Sequence, residues 1–164
     1  MKSLAPEEKP MRNVLVIAYG NRLRCDDGVG WQAARELRHT LPWPARIICV
    51  HQLTPEVAED ISRADLVIFL DASNNGRPGT VRCQAIPAPS RELHFSHYLA
   101  PADLLALCDR LYSARPSAFL ISIDGERFEH GQHFSARTVN AIPLVVERVS
   151  QLIDRYESEV QPSE

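Results

Sequence analysis

The sequence has no excess of positive charge, since its 164 residues include 18 lysines and arginines against 21 aspartates and glutamates, a net charge of −3. Proteins that bind a nucleic-acid backbone usually carry a basic face, so no nucleic-acid partner is expected. Cys-x-x-Cys pairs are also missing, because the four cysteines are scattered at Cys25, Cys49, Cys83 and Cys108. This spacing is typical of reduced thiols, and we expect a cytoplasmic protein.

Long apolar runs are absent as well, so no membrane association is expected. Residues 1–12 carry charges and prolines in place of an apolar segment and predict a disordered lead-in. The polar segment 157–164 lacks a periodic face to bury and predicts a flexible tail. Between them, the length and a hydrophobic content of 45% are typical of one globular domain at 13–156, expected to be a monomer.

Short apolar runs alternate with segments of helical spacing along this domain. Thr54 and Ser135 are the candidate N-caps of two of the helices. The strand after the turn-rich segment 74–79 alternates like an edge strand. The pattern predicts an α/β fold, a three-layer αβα sandwich with about five strands, mostly parallel, and one antiparallel edge strand. The predicted strands are 13–19, 46–50, 66–70, 80–86 and 118–123, and the predicted helices are 29–41, 55–63, 101–112 and 135–155.

Two adjacent carboxylates, Asp26 and Asp27, follow the first strand in a loop bounded by glycines. Ligands of open parallel sheets bind beyond the carboxyl ends of the strands, where this loop lies. Asp26 alone is better explained as a cap of the helix that begins near Gly28. Two neighbouring carboxylates, however, repel each other unless one is protonated or a cation lies beside them. We therefore predict a functional role for Asp27.

Two further side chains are predicted to reach the same edge of the sheet. Asp71 closes the third strand, and His97 lies in the loop that leads to the helix at 101–112. One histidine and two carboxylates are a common ligand set for a borderline divalent cation and leave positions open for water or substrate. Asp27, Asp71 and His97 are thus the candidate metal ligands and catalytic residues, and His94 competes for the role of His97.

Other candidate sites are weaker. His130 and His133 form a second cluster, which fits a polar surface loop equally well. Cys25 is the one candidate nucleophile, but the neighbouring carboxylates raise a thiol's pKa, so no covalent intermediate is expected. A dinucleotide loop at 20–30 is disfavoured because two acids would face the phosphates. From the residues alone, the prediction is a metal-dependent hydrolase or a metal sensor.

Three motifs resemble the hydrogenase maturation endopeptidases over about 14–149. They are Gly20-Asn21-x-Leu23-x-x-Asp26-Asp27-Gly28-Val29-Gly30, Asp71-Ala72, and His97-x-Leu99-x-x-x-Asp103-Leu104-Leu105. The resemblance implies a cytosolic protease that removes a C-terminal extension from the precursor of a nickel-iron hydrogenase large subunit once nickel has been inserted. The segment 51–56 resembles one branch of the family, which leaves the particular hydrogenase and its cleavage site open.

The same resemblance implies which residues contact the metal. The family's metal-contacting positions correspond to Asp27, Asp71 and His97, and many members carry glutamate where this chain has Asp27. The implied metal is divalent, namely nickel carried by the substrate, with zinc or cadmium able to stand in for it. Two rivals stay open: a non-catalytic nickel-sensing chaperone or docking protein, and a general metal-dependent peptidase.

Overall fold

The structure is a computed structural model that describes residues 12–42, 44–89 and 98–159. These residues form five strands, four α-helices and a short 3-10 helix, Cys25–Gly28. In chain order the elements are β1 (Val14–Tyr19), α1 (Val29–Thr40), β2 (Arg46–Val50), α2 (Val57–Ser62), β3 (Leu66–Ser73), β4 (Val81–Ala85), α3 (Pro101–Tyr112), β5 (Ser117–Asp124) and α4 (Ala136–Glu159).

The five strands form one sheet in the order β2-β1-β3-β5-β4. The pairs β1–β2, β1–β3 and β3–β5 are parallel, and β4 pairs antiparallel with β5 at the edge. The central strands are buried on both faces, which explains why they appear in the sequence as continuous apolar runs. The predicted mixed sheet with one antiparallel edge strand is confirmed.

Helices cover both faces of the sheet. Val16 and Ile68 face one side, where they belong to a buried cluster with residues of α1 and α4. Ile17 and Phe69, one position later in each strand, face the other side and pack with residues of α2 and α3. Successive strand residues point to opposite faces, so each buried strand contributes to both cores. The predicted three-layer sandwich is confirmed.

Two local predictions differ from the structure. β3 continues beyond the predicted 66–70, because its pairing with β5 extends from Asp71–Ser122 to Ser73–Asp124. Asp71 therefore lies within the strand. The prediction of Thr54 as an N-cap is wrong: α2 begins at Val57 without a side-chain cap, because the carbonyl of Thr54 accepts the Val57 N–H in a preceding turn.

The last helix begins as predicted and ends later. Thr138 N–H donates to Ser135 Oγ at 3.4 Å, which is the arrangement of an N-cap. α4 then runs to Glu159, three residues into the predicted tail. Its last turns are attached to the core, since Tyr156 donates through its phenol to the Asp65 carbonyl at 3.0 Å. The rest of the predicted tail and residues 1–11 of the predicted lead-in lie outside the described residues.

None of the helices within 12–42, 44–89 and 98–159 is both long enough and apolar enough to span a membrane.

Candidate active site

A cleft of about 690 Å³ lies at the carboxyl edge of the sheet. Its walls come from the loop after β1, the end of β3, the following turn, and the two strands β4 and β5. This is where ligands bind in open α/β sheets, because the connections diverge beyond the strand ends. The described residues that line it are Arg24, Asp27, Asp71, Ala72, Ser73, Asn74, Asn75, Arg82, Gln84, Leu120, Ser122 and Phe128.

Strand register places a row of polar side chains along the cleft. Asp71 on β3 pairs with Ser122 on β5, which in turn pairs with Arg82 on β4. Paired residues of neighbouring strands point to the same face, here the side of the sheet that carries α2 and α3. A carboxylate, a hydroxyl and a guanidinium therefore follow one another across three strands.

The carboxyl group of Asp71 is held in an unusual environment. Its pKa is raised to about 6, chiefly because burial disfavours the charged form and in smaller part because the negative charge of Asp27 lies nearby. Two hydrogen bonds act in the opposite direction, one from the phenol of Tyr19 and one from the Ala72 N–H at 2.8 Å. The pKa of Tyr19 is raised by its own burial and by the same Asp71 charge. The carboxyl groups of Asp27 and Asp71 thus lie close enough to interact electrostatically.

Asp27 is oriented by the backbone of its own loop. Its Oδ2 accepts the N–H of Asn21 at 2.7 Å, and its own N–H donates to the Arg24 carbonyl at 3.0 Å. Gly20 makes this loop possible, because it has a φ of 144° and a Cβ there would lie 2.1 Å from the Asp27 carbonyl oxygen. A glycine is required for both reasons. Asp27 and Asp71, which were predicted to reach the same edge of the sheet, both line this cleft.

Asp26 has a different role from the predicted helix cap. α1 has Gly28 as its N-cap, without a side-chain cap. Asp26 is instead fully buried and accepts hydrogen bonds from the N–H groups of Glu126, Arg127 and Ser135 and from the Ser135 hydroxyl, at 2.8–3.0 Å. Burial raises its pKa, but these bonds outweigh burial and lower the pKa overall. Asp26 joins the loop after β1 to the segment before α4 and to Ser135 at its start.

None of the four candidate histidines is seen to line the cleft among the described residues. His97 and His94 lie outside the described residues, so their predicted roles stay predictions. His130 and His133 are exposed and do not line the cleft. Within 12–42, 44–89 and 98–159, no three His, Cys, Asp or Glu side chains are grouped closely enough to hold a metal ion. The described part of the site is a pair of carboxylates.

Several residues in or beside the cleft are not predicted from the sequence. Tyr19 ends β1, and the only sequence signal for it is a phenol that closes an otherwise apolar strand. Arg82 forms an ion pair with Asp124, which is fully buried. The second carboxylate oxygen of Asp124 has no hydrogen-bond partner among the described residues. The pairing joins residues 42 positions apart, which no local pattern could reveal.

Comparison with known proteins gives structural matches alone. No family model matches the chain, and neither does any curated protein sequence. The solved structure of hydrogenase maturating endopeptidase HybD from E. coli has a TM-score of 0.73 and 22% identity and covers 88% of this chain and 93% of its own.

Two structures from Thermococcus kodakarensis are also similar. The [NiFe] hydrogenase maturation protease HybD has a TM-score of 0.70 and 23% identity and covers 86% of this chain and 99% of its own. The [NiFe] hydrogenase maturation protease HycI has a TM-score of 0.68 and 18% identity, with coverages of 87% and 93%. The chain therefore has the fold of these proteins.

Proposed function

We propose that this protein is a hydrogenase maturation endopeptidase. It removes a C-terminal extension from the precursor of a nickel-iron hydrogenase large subunit after nickel has been inserted. The observation that carries the proposal is the convergence of Asp27 and Asp71 in one cleft at the carboxyl edge of the sheet. Support also comes from the fold, which is shared with solved maturation proteases, and from the sequence motifs around both residues.

The donor set fits a divalent cation. Asp71 is half-buried and the charge of Asp27 contributes to raising its pKa, so a cation beside the two carboxylates would relieve their repulsion. His97 is the third donor in this proposal, on the basis of the family resemblance. Carboxylate oxygens together with an imidazole suit borderline metals such as nickel or zinc. The nickel belongs to the substrate, and zinc or cadmium binds in its place when no substrate is present.

The chemical step is hydrolysis of a peptide bond by water. Asp27 and Asp71 engage the nickel of the precursor, which orients the scissile bond in the cleft, and the metal polarises the carbonyl or a water molecule. Cys25 is buried and does not line the cleft, so it is not placed to attack the substrate. Ser122 does line the cleft, but in this proposal His97 is a metal donor and not the base of a serine nucleophile. We therefore propose a mechanism without a covalent intermediate.

The decisive experiment measures the intact mass of a large-subunit precursor after incubation with this protein. The precursor is prepared in nickel-loaded and nickel-free forms from the source organism. Loss of a C-terminal peptide from the nickel-loaded form alone is the expected result. A stable complex without any mass loss would contradict the protease and favour a nickel-sensing chaperone, and turnover of short unrelated peptides would favour a general peptidase.

A further inference from the structure

A basic surface lies beside the cleft, on the outer side of α1. Arg22, Arg35 and Arg38 surround a depression of about 710 Å³. The Arg22 guanidinium lies 4.9 Å from the ring centroid of Trp31, whose Nε1 donates to the Gly20 carbonyl at 3.1 Å. In the part of the chain that the structure describes, none of these three guanidinium groups forms an ion pair with a carboxylate. Positive charge is therefore concentrated here on a chain with a net charge of −3.

An apolar groove of about 600 Å³ continues from this depression between α1 and α4. Phe134 lines both, so the two form one surface. Val139 on the groove wall is 44% exposed. Pro143, also on the wall, has no N–H to donate to the Val139 carbonyl one turn earlier, which leaves that carbonyl without its helical donor.

The surface, called here the α1–α4 docking surface, is continuous with the loop between β1 and α1, which carries Asp27. Arg22 lines the basic depression, and Arg24, two residues later, lines the cleft. The loop that carries both is tightly packed, because a Cβ on Gly28 would lie 3.0 Å from the Arg22 Cα. A partner seated on this surface would therefore contact the loop that carries Asp27.

We infer that the α1–α4 docking surface binds an acidic segment of the precursor protein that carries a large apolar side chain. Arginine forms bidentate hydrogen bonds with carboxylates, which favours aspartate or glutamate opposite Arg35 and Arg38. The apolar groove accepts the large side chain. Glu36, on the wall of the groove, accepts a hydrogen bond from Gln32 at 3.2 Å. This inference rests on the proposed function for the identity of the partner.

Charge reversal tests the inference. Arg35 and Arg38 are exposed on α1, so the double variant Arg35→Glu/Arg38→Glu should fold, which circular dichroism checks. The control Arg110→Glu/Arg155→Glu makes the same change in charge at exposed positions near the far ends of α3 and α4. Binding is measured with the nickel-free precursor, because the proposed enzyme does not cleave that form and no turnover disturbs the measurement.

We expect the Kd of Arg35→Glu/Arg38→Glu to rise by about tenfold or more, and its salt dependence to become weaker than that of the parent. The control variant should stay within about twofold of the parent. Equal binding by the two double variants, or no binding by the parent, would overturn the inference. Intact binding without cleavage of the nickel-loaded precursor would instead overturn the proposed protease and leave the docking surface supported.

Discussion

The phenol of Tyr19, at the end of β1, donates a hydrogen bond to the carboxylate of Asp71 on the neighbouring strand β3. The parallel register that pairs Ala18 with Leu70 brings these two side chains together. The Tyr19 ring also meets Phe69 edge-on, with centroids 6.5 Å apart. Tyr19 does not line the cleft itself, so it is a positioning residue for Asp71.

Replacing Tyr19 with phenylalanine should therefore impair processing without harming the fold. Tyr19→Phe retains the ring and its contact with Phe69 but removes the hydrogen bond to Asp71. We expect the processing rate of the nickel-loaded precursor to fall by about tenfold, the usual effect of losing the hydrogen-bond partner of a metal-contacting group, which is the role proposed for Asp71. The temperature of unfolding should change little. An unchanged rate would show that Asp71 does not depend on this bond.

The two acids of the cleft should be indispensable for processing. Asp27→Asn and Asp71→Asn each remove one negative charge from the site while preserving side-chain shape. We expect each variant to lower the processing rate by about 100-fold or more, the scale of a lost acid-base or metal-contacting group. Asp154→Asn, an exposed change on α4, serves as the matched control and should process like the parent. Parental rates in both cleft variants would refute the assignment.

Asp26, which precedes Asp27 in the chain, should affect the stability of the fold and not the chemical step. Asp26 is fully buried and accepts four hydrogen bonds, and asparagine would replace one of its acceptor oxygens by an NH₂ group facing donors. We expect Asp26→Asn to lower the free energy of unfolding by about 2–4 kcal/mol, measured by urea denaturation. Asp27→Asn is the control, with an expected change below about 1 kcal/mol. Similar losses in both variants would contradict the division of roles.

The loop that orients Asp27 should not tolerate a side chain at position 20. Gly20→Ala places a Cβ 2.1 Å from the Asp27 carbonyl oxygen at a backbone conformation that favours glycine. We expect the free energy of unfolding to fall by about 1–3 kcal/mol, and the processing rate to fall with it because the loop must move. Denaturation and precursor processing are measured on the same sample. A variant with parental stability and rate would show that the loop is free to rearrange.

Metal binding without substrate should depend on the histidine predicted from the sequence. We expect zinc or cadmium to bind the parent protein, and His97→Ala to weaken this binding by about 10- to 100-fold in calorimetric titration. His94→Ala is the matched control, since it removes a histidine three residues earlier. A loss of metal affinity in His94→Ala alone would make His94 the ligand in place of His97. Parental metal affinity in both variants would contradict a histidine ligand at either position.

Much of the fold was predictable because its signals are local. The bounds of α3 agree with the prediction, since Pro101 begins the helix and the apolar spacing continues to Tyr112. The buried strands were recognised as apolar runs. The extension of β3 through Asp71 was missed, because polar residues continue the strand only where β5 supplies hydrogen-bond partners. The turn that displaces the start of α2 was missed for a related reason, since Pro55 suits a turn as well as a first helical position.

The sequence by itself determined the alternation of strands and helices and the position of Asp27 and Asp71 at one edge of the sheet, because both follow from short-range patterns and from the geometry of parallel strands. Only the tertiary structure decided the separate roles of Asp26 and Asp27. The partners of Asp26 lie 100 to 109 residues away, and no local rule brings them together. Strand register likewise decided that Tyr19 meets Asp71. Side chains distant along the chain become neighbours only when the packed sheet fixes their distances.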